Sequence, residues 1–174
     1  MKKIVALPAV FLLSISLAAC GTSGSAPKAK ETNGAEAKAD QKDTELALKK
    51  GLVKFYSKLT GAVNEQDRDL NAYEASEEKP TDEMKSAAAA SAEKTAAALK
   101  SFEVSEDVSG QKEKLQSVVE KLAKSYEEKA AELKKPAPSL DAANADFQSA
   151  NDSLGEVYES AKMYKLDMNS AVNS

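Results

Sequence analysis

The chain has no histidine, no tryptophan, one cysteine (Cys20) and one arginine (Arg68) in 174 residues. Each shortage removes a class of function. Without histidine there is no Ser-His-Asp or Cys-His catalytic set, no histidine-ligated haem, and none of the Glu-x-x-His pairs that hold two irons inside helical bundles. A single cysteine permits no disulfide within the chain, and with no histidine to join it the usual zinc ligand sets cannot be assembled. The seven glycines are scattered and form no phosphate-cradling loop. Lack of tryptophan leaves no strong stacking platform for sugars. Nucleic acid is a poor partner for a chain of net charge -4, because phosphate contacts need clustered Arg and Lys.

What is present begins with a leader. Lys2 and Lys3 precede an apolar run from Ile4 to Leu17, broken only by Pro8, Ser14 and Ser16. About 14 residues suits the hydrophobic region of a signal peptide and is too short for a stable transmembrane helix. Leu17-Ala18-Ala19-Cys20 follows directly. This tetrad resembles the lipobox of bacterial lipoproteins. The resemblance implies a signal peptide over residues 1–19, with Leu17, Ala18 and Ala19 read by the lipoprotein signal peptidase. It also implies a diacylglyceryl group on the Cys20 sulfur, with palmitate-type chains. One acyl chain anchors marginally and two anchor stably. The expected partner of the processed N-terminus is therefore a membrane, on its extracytoplasmic side. In a Gram-negative cell, glycine rather than aspartate at position 21 implies the outer membrane. An alternative role for the leader itself is a signalling peptide released from Phe11 to Ala19, as in some Gram-positive lipoproteins.

Residues 20–43 read as a lipidated, disordered tether. Gly21 to Lys42 carries Gly, Ser, Ala, Thr and Lys with no large apolar side chain, so ordering it is not offset by burial. As a flexible coil it would reach roughly 25 Å. Lys28, Lys30, Lys38 and Lys42 are diluted by Glu31, Glu36, Asp40 and Asp43, which argues against specific lipid recognition by the tether.

From residue 44 to 174 the pattern is helical, with no convincing strand. Leu48, Leu52, Phe55, Leu59, Ala62, Gln66, Leu70 and Tyr73 recur at spacings of three and four and predict a helix over 44–78. Gly51 and Gly61 inside it point to a close neighbour or a kink. Pro80 ends this segment, Thr81 is the expected N-cap of the next, and Met84, Ala88, Ser91, Thr95, Ala98 and Phe102 mark its stripe. A turn at 105–110 leads to a third stripe, Leu115, Val119, Leu122, Tyr126, Ala130 and Leu133, with Lys134 and Lys135 expected in its last turn. After Pro136 and Pro138, Ser139 is the expected cap of a fourth helix. Its stripe, Ala143, Phe147, Ala150, Leu154, Val157, Ala161, Tyr164 and Met168, is a coiled-coil-like heptad seam. Short connections between narrow apolar stripes predict an all-α, antiparallel up-down four-helix bundle, with a three-helix bundle as the alternative.

Chemistry-bearing residues are few. Asp67 with Asp69, Glu77 with Glu78, and Asp141 with Asp146 are the nearest carboxylate pairs. Adjacent and i+2 residues diverge on a helix, so caps and solvated charge account for them, and neither a metal nor any other cofactor is expected. Asn151-Asp152-Ser153 matches a glycosylation sequon in form but falls mid-helix. Phe55, Tyr73, Phe102, Tyr126, Phe147 and Tyr164 lie on apolar stripes and are expected in the core. Tyr56 and Tyr158 lie beside the stripes and are candidates for the rim of a binding surface, or for snorkelling with hydroxyls in water. Leader, lipobox, tether and helical ectodomain together are similar to the helical, wall-binding lipoproteins of Gram-positive bacteria. That resemblance implies a non-enzymatic binding or scaffold module for an envelope protein or a cell-wall polymer. The alternative is capture of a small ligand in a cleft between helices.

Overall fold

The computed structural model describes residues 33–172. The leader, Cys20 and the tether up to residue 32 lie outside them. Among the described residues there are six α-helices and no strand: α1 (Asn33–Asn64), α2 (Arg68–Glu74), α3 (Asp82–Lys100), α4 (Lys112–Leu133), α5 (Asp141–Ser160) and α6 (Met168–Val172). A 3₁₀ segment, Glu106–Gln111, leads into α4. The described residues are all-α, as their periodicity predicts.

Two boundaries of the first segment differ from expectation. Helix α1 starts at Asn33, where a coil was expected to continue to residue 43. Ala35-Glu36-Ala37-Lys38-Ala39 consists of strong helix formers, and a helix already held by packing further along extends cheaply through such residues. Farther on, the helix expected to reach residue 78 breaks at Glu65–Asp67 and resumes as α2. The break has a plug. Ser91 of α3, fully enclosed, donates its hydroxyl to the Gln66 carbonyl at 2.5 Å and accepts from the Leu70 amide at 3.4 Å. Backbone groups freed by the interruption thus find a partner inside the protein. The apolar stripe shifts accordingly, and Val63 is buried in place of the expected Ala62.

Helix α3 begins as predicted, with the Thr81 hydroxyl accepting from the Met84 amide at 3.1 Å and Asp82 and Glu83 in the first turn. Every expected stripe residue of α4 is buried. Lys134 caps its end rather than lying in its last turn, and pairs with Glu93, while Lys135 pairs with Glu132. At α5 the expected cap is replaced: Ser139 donates to the Asp141 carboxylate at 3.1 Å and bonds no helix amide.

The heptad seam read through Met168 stops at Ser160. There the Met163 amide donates to the Tyr158 carbonyl and the Lys162 amide to the Glu159 carbonyl, both at 2.9 Å. Lys162 adopts φ 56°. This pair of bonds around a left-handed residue is a Schellman stop. Tyr164, expected on the core stripe, is consequently 94% exposed. Met168 still reaches the core, carried there by α6.

Packing follows the stripes. Helix α3 lies against α1, α2 and α4, α4 lies against α5, and α6 touches α1. Glu93 pairs with Lys134 and Lys100 with Glu127, so α3 and α4 run in opposite directions. Likewise Lys121 reaches Ser153 and Ser125 reaches the Ala143 carbonyl, which sets α5 against the direction of α4. A continuous apolar core joins them, built around Leu52, Leu59, Leu99, Leu122, Leu154 and Met168. Gly51 explains itself. A Cβ there would stand 2.7 Å from the Asp107 carbonyl oxygen of the 3₁₀ segment, whereas nothing lies within 4 Å of the same point at Gly61.

Candidate functional site

The two tyrosines singled out from the sequence come together. Their rings meet edge to face with centroids 6.3 Å apart. Tyr158 is buried and donates its hydroxyl to the Leu52 carbonyl of α1, so it does not snorkel. Tyr56 is half-buried and donates to the Asp167 carbonyl at 3.3 Å. Burial pushes both phenols above their ordinary value, helped at Tyr56 by the charge of Asp167. Both are neutral donors committed to backbone oxygens. Tyr56 presents ring surface outward, with Tyr158, 1% exposed, packed behind it.

That surface is one side of an apolar cleft of about 440 Å³. Helix α1 contributes Val53 and Tyr56, α5 contributes Tyr158, and the chain just beyond the Schellman stop contributes Lys162, Met163, Tyr164 and Leu166. The stop creates the cleft. In a Schellman motif the residue after the left-handed position commonly contacts a side chain in the last helical turn, and here those two residues are Met163 and Tyr158. Had α5 continued, residues 163–166 would have turned around the helix axis instead of standing out as a wall. The volume falls within the range of small-molecule sites.

Exposure concentrates at this place. Among the described residues the large apolar side chains left most open are Leu46, Val53 and Tyr164. Val53 and Tyr164 border the cleft, and Leu46 precedes Val53 by one heptad on the same face of α1. Lys162 is the charged residue of the lining. Its ammonium lies 3.8 Å from Glu45, whose carboxylate is held more closely by Lys49 at 2.9 Å. Lys49 first, and Lys162 second, keep the Glu45 carboxyl below its ordinary value.

A second concavity, about 250 Å³, is polar. Lys129, 5% exposed, reaches Glu74 at 2.7 Å and lies over the rings of Tyr126 and Phe147 at 5.5 and 5.7 Å. The Tyr126 hydroxyl donates to Asp67 at 3.3 Å. Burial raises the Asp67 carboxyl above its ordinary value, against the opposing effect of bonds from Asn71 and Tyr126. From the sequence, Asp67 is expected as a cap or a solvated charge. It is 1% exposed and makes no side-chain cap bond, because the helix break turns it inward beside α4. Its spacing of three from the stripe residue Leu70 was the available signal. Lys129, missed altogether, sits three residues after Tyr126 on a face otherwise apolar.

A third groove runs between α3 and α4. Ala96 and Ala97 of α3 face Ala130 and Ala131 of α4 across about 270 Å³, spanned by the Glu93–Lys134 and Lys100–Glu127 pairs. The remaining carboxylates disperse: Glu77 and Glu78 are exposed, and Asp146 pairs with Lys124 at 2.6 Å. Among the described residues no group of three or more Asp, Glu, His or Cys side chains converges on a metal-sized site, and no helix is long and apolar enough to cross a membrane. Asn151 of the formal sequon is buried, donating to the Asp167 carboxylate at 3.2 Å and accepting from the Met168 amide at 2.8 Å. No family model, curated protein or solved structure matches the chain.

Proposed function

We propose that the chain is a bacterial lipoprotein that acts by binding rather than by catalysis. In this reading Leu17-Ala18-Ala19 directs cleavage, Cys20 carries the diacylglyceryl anchor, and the helical body works on the extracytoplasmic side of the membrane. The support for the anchor is the leader and tetrad described above. For the body, the supporting observation is the coincidence of exposure and shape: Val53 and Tyr164 border the same apolar cleft. Water-exposed apolar surface gathered around a concavity is where a partner gains most by docking. An apolar group of an envelope protein or of a cell-wall polymer is the proposed occupant.

The finer architecture belongs to the same proposal. Phe55 meets Phe102 and Gln66 meets Ser91, so α1 opposes α3 in direction. With α3 opposing α4 and α4 opposing α5, and Tyr158 tying α5 back to Leu52, the four long helices are read as an up-down bundle in which α2 and α6 are short appendages.

The test is a crosslinking pull-down from intact cells. The parent should retain a partner that is lost in Cys20→Ser through mislocalisation, and lost in Tyr164→Lys with the anchor intact. An identical partner profile for Tyr164→Lys would refute the role given to the cleft. Absence of incorporated palmitate in the parent would refute the anchor. Small-ligand capture is a second reading, favoured by the 440 Å³ of space beside Tyr56 and Tyr158.

A further inference from the structure

Resting on the reading of the cleft as a small-ligand site, we infer that it takes an anionic amphiphile, with the alkyl chain against Tyr56, Met163, Tyr164 and Leu166 and the acid group on the Lys162 ammonium. Four features of the cleft carry this. First, its lining is aromatic and aliphatic, the hydroxyls of Tyr158 and Tyr56 are already spent on the Leu52 and Asp167 carbonyls, and Tyr164 stands at the exposed rim. The interior therefore selects for apolar groups. Second, the charge at the rim is positive, since Lys162 is the charged side chain among the lining residues.

Third, that charge is incompletely answered. Glu45, its carboxylate neighbour at 3.8 Å, is shared with Lys49, which stands closer. Two ammonium groups thus divide one carboxylate, and the Lys162 side chain stays 79% exposed. An incoming acid would gain a partner without first displacing a tight ion pair. A cationic head would meet Lys162 and be repelled. Fourth, the backbone fixes the place of this residue. The left-handed conformation at Lys162 is normally filled by glycine, and a lysine there sits in a strained region. A glycine would serve the helix stop better, while only a side chain of this kind puts a cation at the mouth. Asp167 also lies on this side of the molecule and its charge reaches Tyr56, but one of its carboxylate oxygens is engaged by Asn151 and the Asn169 amide, and the residue is not part of the cleft lining.

The experiment is calorimetric titration of the full chain carrying Cys20→Ser with three twelve-carbon probes, each below its micellar concentration: dodecanoate, dodecyl maltoside and dodecyltrimethylammonium. Dodecanoate is expected to bind about fivefold more tightly than the maltoside, the effect of one lysine beside an apolar binding surface, and the cation more weakly than either. Lys162→Gly, which suits the left-handed backbone, should erase the charge preference and retain maltoside binding. Lys162→Arg should retain the preference. Tyr164→Ala, at a fully exposed side chain that folding does not need, should weaken all three probes. Equal binding of the three probes, or a preference for the cation, would overturn the anionic class and leave the cleft as a ligand site. Binding of none, or binding untouched by Tyr164→Ala, would overturn the ligand-site reading and this inference with it.

Discussion

Gly51 and Gly61 occupy the interior of the same helix, and replacing each with alanine is expected to move stability in opposite directions. At Gly61 the added methyl meets nothing within 4 Å. Only the intrinsic preference operates there, so Gly61→Ala should stabilise by about 0.8–1 kcal/mol. At Gly51 the same preference is present, but the Cβ would lie 2.7 Å from the Asp107 carbonyl oxygen, 3.1 Å from its carbon and 3.0 Å from a Val108 methyl. Two of these three are backbone atoms of the 3₁₀ segment, which cannot rotate away as the end of a side chain can. Either the segment retreats by several tenths of an ångström or α1 does, and Val108, wholly buried, is carried along. Overpacking of this kind costs about 1–3 kcal/mol. Because the helix-propensity gain is common to both variants, their difference isolates the close approach and should be about 1–3 kcal/mol, or roughly 3–10 °C in Tm for a domain of this size. Urea unfolding followed by far-UV circular dichroism measures it directly. If Gly51→Ala proves as stable as Gly61→Ala, the contact between α1 and the 3₁₀ segment does not exist as described.

Three further outcomes are expected. The Asp67 carboxyl, raised by burial, holds its proton more tightly in the folded than in the unfolded chain. Its favourable contribution is therefore complete below the ordinary aspartate value of about 3.9 and is lost as pH rises through the raised value. Asp67→Asn should exceed the parent in urea midpoint at pH 7 and converge with it near pH 4; a gap that widens on acidification would refute the assignment. Ser91→Ala should cost about 1–3 kcal/mol by thermal unfolding, since it strands the Gln66 carbonyl beside a buried position. Lys162→Gly should raise Tm, relief of the left-handed strain being worth about 1 kcal/mol, with little lost from an ion pair as long and exposed as that to Glu45.

Fold class and most of the core were legible because they depend on periodicity, which the chain carries in every segment. The α4 stripe is the clearest case, buried at each expected position. Helix ends were less legible, and for two separate reasons. At Glu65–Asp67 the apolar spacing continues almost unbroken across the interruption, so the signal lay in Ser91, a residue distant in sequence whose hydroxyl makes the break tolerable. At Lys162 the usual glycine signal is absent, and the heptad spacing of Ala161, Tyr164 and Met168 mimics a continuing helix. The alternation of Lys165, Leu166, Asp167 and Met168, exposed and enclosed by turns, was the only local hint of extended chain. Tyr56 and Tyr158 were found because they sit just off their stripes. Tyr164 falls on the heptad stripe in sequence and yet borders the cleft, since its position depends wholly on where α5 ends.

The outer wall of the cleft belongs to a segment that follows all four long helices in the chain. It is held by amide side chains as well as by the burial of Met168 and Val172: Asn64 and Asn71 donate to the carbonyls of Ala171 and Val172 at 2.9 and 2.6 Å, and Asn151 grips the Met168 amide and the Asp167 carboxylate. A chain emerging N-terminus first can pair its long helices before residues 161–172 appear, yet it has no cleft until they close over Tyr56. Under the proposed reading, binding therefore depends on residues 161–172 as much as on the long helices, and a substitution that loosens this segment, such as one at Asn64 or Asn151, would weaken binding while the helices remain paired.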